Sequence, residues 1–83
     1  MYYEAIFCPS QVKKNNHDVN RMAGKRVALL GGLIHEAGPY QGQRCFFIPK
    51  AIVGWIPEGD LLYLRPVPFS RWEKTHQGLG LSC

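Results

Sequence analysis

The 83-residue chain has room for one domain, and a domain of this size buries only about 60–65% of the surface its unfolded form exposes, so its stability margin is small. Hydrophobic residues at 46% and charged residues at 19% exclude intrinsic disorder. The net charge of +4 gathers toward the N-terminus, where Lys13, Lys14, Arg21, Lys25 and Arg26 face only Glu4 and Asp18, an imbalance that either favours anionic partners such as nucleic acid or leaves a plain solvated basic loop.

Met1-Tyr2-Tyr3-Glu4 lacks the basic start and apolar core of a signal peptide, and no apolar run approaches the ~20 residues that cross a bilayer. A cytoplasmic location without a membrane partner is therefore expected. Tyr2 to Phe7 carries β-favouring residues and predicts a first strand, ended by Cys8-Pro9-Ser10. Gln11 to Met22 is polar, without helical or strand periodicity, and predicts a long basic loop with a short helical turn after Asp18. Loops of that length in compact domains usually bind something or are disordered.

Gly24 to Gly32 reads as a strand entered from one glycine and left through two. The Gly24-Lys25 pair invites comparison with a phosphate-binding loop, but Val19 stands where a second glycine is required and Arg26 where Ser or Thr is. Nucleotide hydrolysis is unsupported. Gly31-Gly32 predicts a bulge that lets the strand continue through Leu33-Ile34-His35 at a new angle. Glu36 to Gln43, with two glycines and a proline, predicts a hairpin loop that leaves Tyr40 on the surface.

Arg44 to Ile48 predicts the next strand, with Cys45 as a small core residue. Phe46 and Phe47 cannot both point into a one-sided core, so the N-terminal strand or the C-terminal tail is expected to cover one of them. Val53 to Leu64 then reads as two short strands that fold back on themselves: Pro57 stops the one holding Trp55 and Ile56, Glu58-Gly59-Asp60 turns, and Leu61 to Leu64 forms the last.

A strand ending in an aromatic and Ile-Pro, one turn of helix-like backbone, then Asp-Leu and a final apolar strand resembles the closing segment of small SH3-like β-barrels. The resemblance spans residues 24–64, about half of the chain. It implies an all-β fold: a small five-stranded SH3-like barrel with a long basic N-terminal loop and an extended C-terminal tail. It also implies a ligand groove lined by the aromatics and proline at Trp55, Pro57 and Tyr63 and flanked by the early loop. Trp55 stands immediately before Ile-Pro, whereas peptide-binding members carry a tryptophan pair earlier, and the early loop is basic where theirs is acidic.

In Arg65 to His76, alternating prolines favour extended backbone. Phe69 and Trp72 either pack back on the barrel, the favoured reading, or mark a short helix with Ser70 as N-cap. Residues 1–76 are expected to form the single domain and residues 77–83 a flexible tail, with Cys83 an exposed thiol.

No catalytic constellation emerges. Cys8, Cys45 and Cys83 are odd in number and without a Cys-x-x-Cys pair, and His17, His35 and His76 share no ligand spacing, so neither a disulfide framework nor a metal or other cofactor is expected. A nucleophile pair of Cys45 with His35 is opposed by the apolar strand around the thiol. Glu58 and Asp60 suit turn capping better than acid–base chemistry. Gln41-Gly42-Gln43, Ile52-Val53-Gly54-Trp55 and Pro57-Glu58-Gly59 faintly resemble pieces of plasmid-borne type II dihydrofolate reductase, which builds its active site at a tetramer pore, but the Val-Gln-Ile-Tyr stretch lining that pore is absent.

The expected function is that of a non-enzymatic adaptor that binds a protein partner through Tyr40, Trp55, Pro57, Tyr63 and Trp72 with help from the basic loop. The alternative is a nucleic-acid-binding barrel using Lys13, Lys14, Arg21, Lys25 and Arg26, with Tyr40 or Trp55 stacking on bases. An unpaired strand edge would further allow a small homo-oligomer in place of a monomer.

Overall fold

The computed structural model describes residues 1–13 and 16–80. Strands β1 (Tyr3–Phe7), β2 (Arg26–Ile34), β3 (Arg44–Phe47), β4 (Ile56–Pro57) and β5 (Leu61–Pro66) form one antiparallel sheet in the order β4-β3-β2-β1-β5. Helix α1 (His17–Met22) lies between β1 and β2, a 3₁₀ turn (Glu58–Asp60) joins β4 to β5, and α2 (Phe69–Gly78) follows β5. The sheet curls into a half-barrel, the small all-β fold expected. None of these helices is long and apolar enough to cross a membrane.

The curl has a local cause. β2 pairs with β1 through its first half and with β3 through its second, and its register shifts between Gly31 and Leu33. Gly31 and Gly32 have φ of 107° and 87°, which a side chain at either position would resist. The glycine pair is therefore the bulge that swings β2 from one half of the sheet to the other.

β4 and β5 do not fold back on each other. β4 pairs with β3 and β5 with β1, so the two lie at opposite edges of the sheet with the 3₁₀ turn spanning between them. Pro57 is the last residue of β4, so the strand stops there as expected; it is itself the partner of Cys45, and an edge strand tolerates its missing N–H.

Phe7, Val27, Leu29, Phe46 and Ile56 fill the concave side of the sheet. Val19 and Met22 of α1 join them, so part of the polar early segment is core. Asn16 caps that helix by accepting from the Val19 N–H at 2.8 Å. Phe46 points inward and Phe47 outward, where Trp55 packs against it edge-on.

The C-terminal segment is not an extended tail. Pro68 holds the N-cap position, and α2 begins at Phe69, one residue before Ser70. Its Trp72 donates from Nε1 to the Leu29 carbonyl at 3.0 Å, and Tyr2 packs its ring on Phe69 and Trp72, so the helix is fastened to the outside of β1 and β2. Residues 77–79 are not a flexible tail: Gln77 and Gly78 complete the helix and Leu79 packs on the core. Residues 81–83, with Cys83, lie outside the described part.

Candidate functional site

Two carboxylates organise the surface. Asp60, fully buried, accepts from the backbone N–H groups of Ser10, Gln11 and Val12 at 2.9–3.1 Å and from the Ser10 hydroxyl at 2.8 Å. Burial pushes its carboxyl up, but these hydrogen bonds outweigh it and hold the group below the ordinary aspartate range. The start of the long early segment is thereby pinned to the end of the 3₁₀ turn. Gln11 and Gln43 exchange side-chain amide bonds at 2.9 and 3.2 Å, and Asp18 accepts from the Ile52 N–H at 2.7 Å. The segment and the loops before and after β3 so enclose an open cleft of about 470 Å³ whose lining includes Lys13, Tyr40 and Val53.

Glu4 is the second organiser and was not singled out from the sequence. Alternation in β1 turns Tyr2, Glu4 and Ile6 to the outer face of the sheet, yet Glu4 is only 1% exposed because α2 lies over it. Its Oε1 accepts from Arg26 of β2 at 2.8 Å, Arg65 of β5 at 3.3 Å and Arg71 of α2 at 3.1 Å; its Oε2 accepts from Thr75 at 2.6 Å. Burial raises the carboxyl, but the bonds from Thr75 and the three arginines overcome that and lower it to about 2. One carboxylate thus ties together β1, β2, β5 and α2. Arg71 and Thr75 are four apart, one helical turn, which is the sequence signal for their shared face.

The outer face that α2 leaves uncovered forms a cleft of about 270 Å³, lined by Glu4, Ala5, Ile6, Arg26, Tyr63 and Arg65. Tyr63 sits at a register shift between β1 and β5, with φ of 58° and 83% of its surface exposed. That left-handed backbone costs an aromatic residue roughly 1–2 kcal/mol.

A third feature lies at the other edge of the sheet. Trp55 crosses β2 at Gly31, where a Cβ would come within 3.4 Å of its ring, and it meets His35 and Phe47 edge-on at centroid distances of 4.9 and 5.6 Å. Trp55 is 41% exposed, and β2 ends in Leu33 and Ile34 at 63% and 57%.

The predicted site residues therefore scatter. Tyr40 lines the larger cleft, Trp55 forms the platform and Tyr63 stands over the smaller cleft. Pro57 and Trp72 are buried, Pro57 in β4 and Trp72 beneath α2, which removes both from any partner surface. No groove unites Trp55, Pro57 and Tyr63, since β4 and β5 are at opposite edges.

Among the basic residues, Lys13 and Lys25 are exposed, and Arg21 is turned inward to the Leu79 carbonyl and Asp18. Arg26 joins Glu4, and Lys14 lies outside the described residues. Cys45 is buried with its thiol pushed up by burial, and His35 is occupied against Trp55, so the two form no nucleophile pair. Among the described residues, no three of His, Cys, Asp and Glu gather to hold a metal.

No family model matches the chain, and no curated protein or solved structure matches it.

Proposed function

We propose that the chain is a non-enzymatic interaction module on an SH3-like barrel, and that it docks a protein partner on the Trp55 platform. The observation that carries this reading is the ordering of a half-exposed tryptophan by His35 and Phe47 over the bare backbone of Gly31. A rigid aromatic beside exposed aliphatic side chains loses little entropy on binding and supplies the anchor that protein interfaces favour. The strand order and the 3₁₀ turn before the last strand support the barrel reading.

The test compares wild type with Trp55→Ala and Leu33→Asp, each checked for unchanged circular dichroism, in quantitative co-purification from cells. Loss of the same protein from both variants is the expected result. Equal recovery of every partner by the folded variants overturns the assignment.

A further inference from the structure

The smaller cleft poses a separate question, because among the described residues a single carboxylate, Glu4, faces the charge of three arginines. Arg71 and Thr75 engage Glu4 from the helix side, while Arg26 and Arg65 reach the same Oε1 from the cleft side. Each of these two guanidiniums spends one of its N–H groups on Glu4 and remains about half exposed. Of the other acids, Glu58 is held by Arg44, Asp18 by Arg21 and Ile52, and Asp60 by the early loop, while Glu36 and Glu73 form no ion pair with either arginine among the described residues. Among the described residues, no second carboxylate is paired with Arg26 or Arg65.

The chemistry beside these arginines is apolar and aromatic. Ile6 pairs with Arg26 across β1 and β2 and with Leu62 across β1 and β5, while Glu4 pairs with Arg65, so these side chains share one sheet face. Tyr63 projects from that face at a backbone position that favours glycine, with its ring committed to no aromatic partner among the described residues. Two forked cations beside an exposed ring match a phosphate joined to a planar base.

We infer that the cleft between β1, β2 and β5 binds a nucleotide unit, with the phosphate on Arg26 and Arg65 and the base stacked on Tyr63. Glu4 acts as a positioning residue that holds both guanidiniums side by side. The shared chemistry belongs equally to a free mononucleotide and to one unit of a single strand. The site lies at the β5 edge of the sheet, away from the β4 edge that carries Trp55, so it stands or falls independently of the docking reading.

Titration of isotope-labelled full-length protein with thymidine 5′-monophosphate, a ten-residue oligothymidylate and inorganic phosphate, followed by amide, arginine Nε–H and tyrosine ring NMR signals, tests the assignment. Saturable shifts at Arg26, Arg65 and the Tyr63 ring are expected, with thymidine monophosphate at least tenfold tighter than phosphate. Tyr63→Gly, which keeps the backbone shape, should bring the nucleotide down to the affinity of phosphate, and Arg65→Gln should weaken all three probes. Tighter binding of the oligomer identifies a strand as the source, and equal binding per nucleotide identifies the free molecule. Shifts that are identical for phosphate and nucleotide, unchanged in Tyr63→Gly, or absent from these residues overturn the inference, and Trp55→Ala should leave every one of these titrations unaltered.

Discussion

Tyr63 carries a large side chain where the backbone suits glycine. Its φ of 58° costs roughly 1–2 kcal/mol, and an 83%-exposed ring recovers little of that through packing. Glycine removes the clash but loses more freedom on folding, so Tyr63→Gly is expected to raise stability by about 0.5–1 kcal/mol. Lys50, at φ 70°, is the internal comparison. Lys50→Gly should give a similar gain with no effect on nucleotide titration. Urea unfolding of both variants checks the sign. Destabilisation by Tyr63→Gly alone would mean that the ring holds β5 in place and is not strain retained at a surface site.

At the scale of elements, Asp60 joins the early segment to the turn before β5. Asparagine there replaces one accepting oxygen by a donor facing other donors, a buried mismatch worth roughly 3 kcal/mol. Asp60→Asn should therefore lower the urea midpoint and speed hydrogen exchange at the Gln11 and Val12 amides more than at Leu29. If exchange at residues 10–12 is unchanged, the segment is held by Val12 and Val19 packing instead.

This joint also marks the limit of what was legible in the chain. Strand positions were readable because apolar runs stop at prolines and glycines, and the β2 bulge was readable because Gly31-Gly32 interrupts one such run. The pairing of β4 and β5 was misjudged because pairing is a long-range property: Tyr3 finds its neighbour at Pro66, not nearby. Alternating prolines suggested an extended C-terminus, yet Pro68 at an N-cap loses nothing by lacking an N–H, and a helix starts behind it. Glu4 could not be recognised as a hub from its place in β1, since its arginines come from three other elements.

For the whole molecule, these contacts combine into a stability that falls on acidification in two separable stages. His76 is buried against the Trp72 ring at 5.0 Å, its Nδ1 has no hydrogen-bond partner among the described residues, and burial together with the Lys50 charge lowers its pKa below 6.5. The unfolded chain therefore takes up this proton first, and stability declines as pH drops below 6.5. Glu4 and Asp60 are lowered as well, so their contribution is complete above the ordinary carboxylate range and disappears as they protonate, for Glu4 between 4.5 and about 2. The Glu4 shift alone corresponds to roughly 3 kcal/mol, a large share of what so small a domain can hold. His76→Phe retains an aromatic ring beside Trp72 and removes the first proton, so its stability should be flat from pH 7 to 5 while the loss below 4.5 persists. Glu4→Gln should leave the first stage intact and shrink the second to the part that Asp60 and Glu58 supply. Urea midpoints from pH 7 to 3 for the three proteins separate the stages, and a first stage that survives in His76→Phe would move its origin to another group.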